Sequence, residues 1–114
     1  MTETTDIAKF QARTEKAIRL LAFFKARPGK SKQLEQVLLS LVDQTRSESG
    51  NIAYVLHRST DDENLLFFDE VWADMESIDI HADKPYIQQL PAKISDLVTE
   101  PMRIETYTEV RAAK

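Results

Sequence analysis

The stretch from Asn64 to His81 constrains this chain more than any other, because it reads as a strand that is apolar on both faces and runs straight into a helix. Side chains alternate along a strand, so Leu65, Phe67, Asp69 and Val71 fall on one side and Leu66, Phe68, Glu70 and Trp72 on the other. An antiparallel sheet with one wet face carries polar residues there. Both faces of this strand must therefore be covered. Asp74 is placed to cap a helix that opens with Met75, Glu76 and Ser77. Trp72 then sits at the strand end and His81 about two turns into the helix.

The run from Ala17 to Arg27 reads as a second strand of the same kind, with Leu20 and Phe24 on one side and Leu21 and Phe23 on the other. Pro28-Gly29 punctuates it. Leu34, Val37, Leu38, Leu41 and Val42 then keep the spacing of one helix face, and Gly50 is placed to end that helix. Ile52 to Ser59 is the next strand, joined through the polar Asp61-Asp62-Glu63-Asn64 to the strand that opens at Leu65. Pro85 suits the first turn of a further helix, whose inner face holds Ile87, Leu90, Ile94, Leu97 and Val98. Pro91 lacks a donor and clashes with the preceding turn, which predicts a break between Gln88 and Ala92. Met102 to Val110 alternates as a last strand.

Strand, helix, strand, strand, helix, strand is the order of an α+β, ferredoxin-like split β-α-β sandwich with a four-stranded antiparallel sheet. Helices then cover one face only. A second copy packed sheet on sheet is the simplest cover for the other, so a homodimer is expected. The length of 114 residues supports one core. The domain is placed at 17–110, with 1–16 as an N-terminal appendage and 111–114 as a tail.

Nineteen acidic against 15 basic residues, net −4, leave no electrostatic footprint for nucleic acid. Without cysteine there is no disulfide, thiolate nucleophile or thiolate metal site. No apolar run is long enough for a membrane span and Met1 to Lys16 lacks a signal-peptide core, so a cytoplasmic protein is expected. His57 and His81 are far apart with no carboxylate cluster, so no metal is expected. Gly29 and Gly50 are the only glycines, which gives no phosphate loop and no support for a flavin or nicotinamide.

His81 is the candidate for proton transfer, since imidazole exchanges a proton near neutral pH. It falls at the flank of a helix face set by Met75, Ile78 and Ala82, where a histidine is more often a surface or hydrogen-bonded structural residue. His57 falls on the strand face that is expected to meet a partner. Trp72 is either a pocket wall or a core aromatic with one hydrogen bond. Glu70 is either a partly buried acid or a rim residue paired with a base such as Arg58. Tyr54 and Tyr86 can orient a phenolic ligand, and Phe24, Leu66 and Phe68 can line an apolar pocket or simply fill the core.

Glu70-Val71-Trp72 at a strand end, with His81 on the helix that follows, resembles the antibiotic biosynthesis monooxygenase family. The resemblance extends through Lys25-Ala26-Arg27-Pro28-Gly29-Lys30, Glu48-Ser49-Gly50-Asn51-Ile52-Ala53-Tyr54 and Thr99-Glu100-Pro101, about Ala17 to Val110 in all. It implies a dimeric α+β barrel. It also implies oxidation of a small aromatic substrate (a quinol, a phenol or an anthrone) by molecular oxygen without a cofactor. His81 would be the base, Trp72 and Phe68 would hold the ring, and Tyr54 or Tyr86 would contact an oxygen substituent. The antibiotic-pathway members have Asn where this chain has Phe68, so their substrate does not carry over. Where haem-degrading relatives have an axial His this chain has Leu90 and Pro91. Two alternatives remain: a non-catalytic dimeric binding or stress-related protein, and an isomerase of a small phosphosugar.

Overall fold

Alternation along two central strands sorts the chain into a helix-covered face and an open one. The computed structural model describes residues 17–111. The proposed appendage at 1–16 and all but the first residue of the tail lie outside them. β1 (Ile18–Lys25), β2 (Asn51–Arg58), β3 (Leu65–Trp72) and β4 (Arg103–Tyr107) form one sheet in the order β2-β3-β1-β4, every pair antiparallel. This is the ferredoxin-like arrangement. Leu20, Ala22 and Phe24 of β1 and Leu66, Phe68 and Trp72 of β3 are buried beneath the helices. Their neighbours Leu21, Phe23, Leu65, Phe67 and Val71 face the other way and are only half-buried.

β4 is shorter than Met102 to Val110, because its partner runs out: Tyr107 already pairs with Arg19, next to the start of β1. The first connection is two helices, α1 (Ser31–Leu39) and α2 (Val42–Arg46), rather than one continuous helix. At the joint the Ser40 N–H is shared between the Gln36 and Val37 carbonyls, and the Leu41 N–H reaches back only three residues to Leu38. That tighter turn keeps Leu41 buried and brings Thr45 fully inside. Leu34 and Leu38 complete this side of the core.

Gly29 has φ 79, following Pro28 in a turn closed by Lys30 N–H to Arg27 O at 2.9 Å. Proline then glycine with positive φ is the pattern of a type II turn. Gly50 is not the left-handed helix end expected of it, for it has no positive φ, and α2 has already ended at Arg46. It is needed for close packing instead: a Cβ there would lie 2.1 Å from Ser77 Oγ.

α3 (Met75–Ala82) starts at Asp74, whose carboxylate accepts the Ser77 N–H at 2.8 Å. After it come α4 (Pro85–Gln88) and α5 (Leu90–Ile94), separated at Gln89. The break falls where Pro91 predicts it. Leu90 and Ile94 still point inward and join Val98 in the core. Val98 bridges Ala26, and Thr99 N–H bonds Lys25 O at 2.9 Å, which ties this segment to the end of β1. Among the described residues no helix is long and apolar enough to cross a membrane.

Candidate functional site

His81 is the one buried residue of α3, only 8% exposed, while Met75 and Ala82 of the same helix are exposed. It therefore does not flank the inward face but occupies its centre. The reason lies in α3's approach to the sheet: capped at Asp74 immediately after β3, the helix folds back over the strand end. Its second turn then lands on Trp72. The two rings lie 4.6 Å apart between centroids.

A hydrogen-bonded chain holds the imidazole from behind. His81 Nδ1 lies 2.8 Å from Glu48 Oε2, and the Tyr86 hydroxyl donates to the same oxygen. A carboxylate can only accept, so Nδ1 carries a proton toward Glu48. Nε2 has no hydrogen-bond partner among the described residues and is the nitrogen left for a ligand. Glu48 comes from the turn between α2 and β2, and its other oxygen is buried without a hydrogen-bond partner among the described residues. The Thr45 hydroxyl, buried beside the Tyr54 and Tyr86 phenols, makes no hydrogen bond of good geometry.

In front of His81 lies an apolar cavity of about 120 Å³ between the sheet and the helices. Phe24, Tyr54, Phe68, Glu70 and His81 are among the side chains that line it. Tyr54 stacks on Phe68 at 4.2 Å, and Phe24 meets Phe68 edge-on at 6.2 Å. Trp72 and Tyr86 do not line the cavity. Trp72 lies fully buried beneath His81, and Tyr86 supports the imidazole through Glu48. Leu66 is core, away from the cavity.

Glu70 is only 3% exposed and accepts the Trp72 Nε1–H at 2.9 Å. It is not ion-paired with Arg58. Arg58 projects near α1, where it pairs with Glu35 at 2.7 Å and bonds Ser31. Burial pushes the Glu70 carboxyl up to about 7 against the pull of the Trp72 N–H, and the negative charges of Glu48 and Asp69 add to the rise. Burial likewise pushes the Tyr86 phenol up to about 12, helped by its bond to Glu48. Tyr54 is raised by burial and by the charge of Glu70. Both phenols thus stay protonated at neutral pH and act as donors.

His57 stands on the open sheet face, stacked on Phe67 at 5.0 Å and remote from the cavity. The residue that sequence reasoning missed is Glu48. Its only signal was membership of the Glu48-Ser49-Gly50-Asn51 segment, because pairing with His81 across 33 positions follows from tertiary packing. Among the described residues no three His, Asp or Glu side chains gather as a metal cluster.

Comparison with known proteins shows the family to which this fold belongs. The Synechocystis protein sll1783 is 29% identical over 83 residues, 73% of this chain, and the chain spans 56% of its length. "Putative monooxygenase YcnE" of Bacillus subtilis is 30% identical over 87 residues, 76% of this chain and 92% of that protein. The crystal structure of protein SO0527 from Shewanella oneidensis superposes with a TM-score of 0.77 at 34% identity, over 82% of this chain and 90% of that one. The sequence profile of the family described as antibiotic biosynthesis monooxygenase matches residues 17–93, the segment that supplies Glu48, Glu70, Trp72 and His81. By that match and by its fold, the chain belongs to the antibiotic biosynthesis monooxygenase family.

Proposed function

We propose that the protein is a cofactor-independent monooxygenase that oxidises a single-ring phenol or quinol with molecular oxygen, using His81 as the base. The observation that carries this reading is a buried imidazole, anchored through Nδ1 by Glu48, in the wall of an apolar cavity. The volume favours a small ring: an apolar cavity of about 150 Å³ takes one benzene, so a space of about 120 Å³ is nearer to one ring than to a tricyclic anthrone. Among the described residues no Lys or Arg lines the cavity, which leaves it without the cation that a phosphosugar would need.

The chemistry asks the protein for a dry site, a base and fixed donors. Nε2 of His81 takes the hydroxyl proton of the substrate. The resulting phenolate gives one electron to oxygen, and the radical pair combines into a carbon-oxygen bond at the neighbouring ring carbon. The proton on His81 passes to the peroxide. The ring carbon then loses its hydrogen as a proton while the oxygen-oxygen bond breaks, and hydroxide leaves and combines with that proton as water. Hydroquinone and oxygen thus become hydroxyquinone and water, with all four electrons drawn from the substrate. In this reading Tyr54, whose side chain lines the cavity and whose phenol stays protonated, holds the developing oxyanion.

The working unit is proposed to be a homodimer joined through the open sheet face, since one copy leaves Phe23, Phe67 and Val71 only half-covered.

Oxygen uptake by metal- and flavin-stripped protein, with a panel of quinols and phenols, tests the reaction. A positioned base contributes roughly a hundredfold to ten-thousandfold. His81→Gln should lower turnover by at least the smaller factor with little change in substrate affinity, and His57→Gln should leave turnover nearly unchanged. Wild-type turnover in His81→Gln would remove the base. Ligand binding with no oxygen uptake by any substrate would leave a binding protein in the enzyme's place.

A further inference from the structure

A second and larger concavity adjoins the His81 cavity. It is a groove of about 450 Å³ floored by Leu90, Ile94 and Val98, with the exposed Arg27 and Glu100 also lining it. Leu90 and Met102 line both spaces, so the groove and the cavity adjoin at these two residues. Met102 is partly buried, and methionine is unbranched and adaptable enough to let a chain pass.

We propose that cavity and groove form one two-part site for a phenol or quinol bearing an unbranched apolar side chain, the ring beside His81 and the chain past Met102 into the groove. The inference rests on the ring-oxidation reading for what happens to the ring, but not for what binds.

Three features favour this occupant. The cavity alone is smaller than the roughly 300 to 1,000 Å³ of ordinary ligand sites, whereas the groove falls within that range. The groove wall is built to persist, for Arg27 N–H to Leu97 O at 2.8 Å and Thr99 N–H to Lys25 O at 2.9 Å fasten it to the end of β1. It also lies on the helix side of the sheet, so a second copy seated on the open face would leave it free. Arg27 and Glu100 offset each other in charge, which suits an uncharged chain.

The test uses the full-length protein and a series of 4-alkylphenols from ethyl to octyl. Binding is read by quenching of Trp72, the single tryptophan, which touches His81. Affinity should rise about threefold to fourfold per methylene until the groove is filled. Val98→Asp should flatten that dependence, and Val98→Thr, which keeps the shape, should weaken it if the aspartate variant fails to fold. No gain with chain length, or a gain of undiminished slope in both variants, would overturn the proposal. A persisting slope with no oxygen uptake from alkylated hydroquinones would support the two-part site and overturn the oxidation. Oxygen uptake without a slope would do the reverse.

Discussion

Glu70 shows how one buried carboxyl ties the site to the stability of the fold. Burial pushes its pKa up to about 7 from the ordinary carboxyl value of 4.5, so the folded protein keeps a proton that the unfolded chain releases between those values. Where the folded state binds more protons, stability falls as pH rises. The stabilising contribution of neutral Glu70 is therefore complete below about pH 4.5, is lost through about pH 7, and changes no further above it. Glu70→Gln should accordingly be more stable than the parent at pH 8 by roughly 2 to 4 kcal/mol, a difference that disappears near pH 4.5. Urea denaturation at the two pH values measures it. A difference independent of pH would show that Glu70 does not titrate in this window. Residue chemistry of this kind was only half legible: Glu70 and Trp72 fall on one strand face by parity. Which of them lines the cavity depends on how Trp72 tucks under His81.

At the scale of elements, α3 matters most because it carries His81 to the strand end. Asp74→Ala removes the carboxylate that accepts from both the Ser77 N–H and the Ser77 hydroxyl, at 2.8 and 2.7 Å. Loss of such a cap costs about 1 kcal/mol, and faster amide hydrogen exchange confined to the first turn of α3 should accompany it. Unchanged exchange there would mean that packing alone holds the helix start. The two helix breaks contrast in how visible they are. Pro91 announces the one between α4 and α5 by its missing donor. The one at Ser40 and Leu41 has no proline or glycine; the Ser40 hydroxyl turns back onto Val37 O at 2.5 Å, and inward packing of Leu41 and Thr45 draws the turn tight. Nothing local marks it.

For the whole molecule the open sheet face is decisive. Phe23 and Phe67 lie 5.5 Å apart between ring centroids, Arg103 lies 4.2 Å over the Phe23 ring, and Arg19 pairs with Asp69 at 2.6 Å. An apolar centre rimmed by paired charges has the composition of an interface. Each large side chain covered there contributes roughly 1.5 to 3 kcal/mol, so a second copy gains from several at once. The expected state is a homodimer at micromolar concentration, and Phe67→Lys should dissociate it into folded monomers. Sedimentation equilibrium reads both, and a monomeric parent protein would refute the assembly.

The alternation of apolar residues in Ile18–Lys25 and Leu65–Trp72, the Asp74 cap and Pro91 are local signals. They determined the element order, the antiparallel sheet and the two-faced character of its central strands without reference to distant residues. Family membership was legible too, since it resides in an ordered set of short segments. Only tertiary structure decided that His81 is the centre of its helix's inner face, that Glu48 holds it, that Arg58 turns to Glu35, and that Gly50 makes room for Ser77. Each of these joins residues far apart in the chain. Periodicity reports which side of an element is buried, whereas the partner met there depends on where the other elements come to rest.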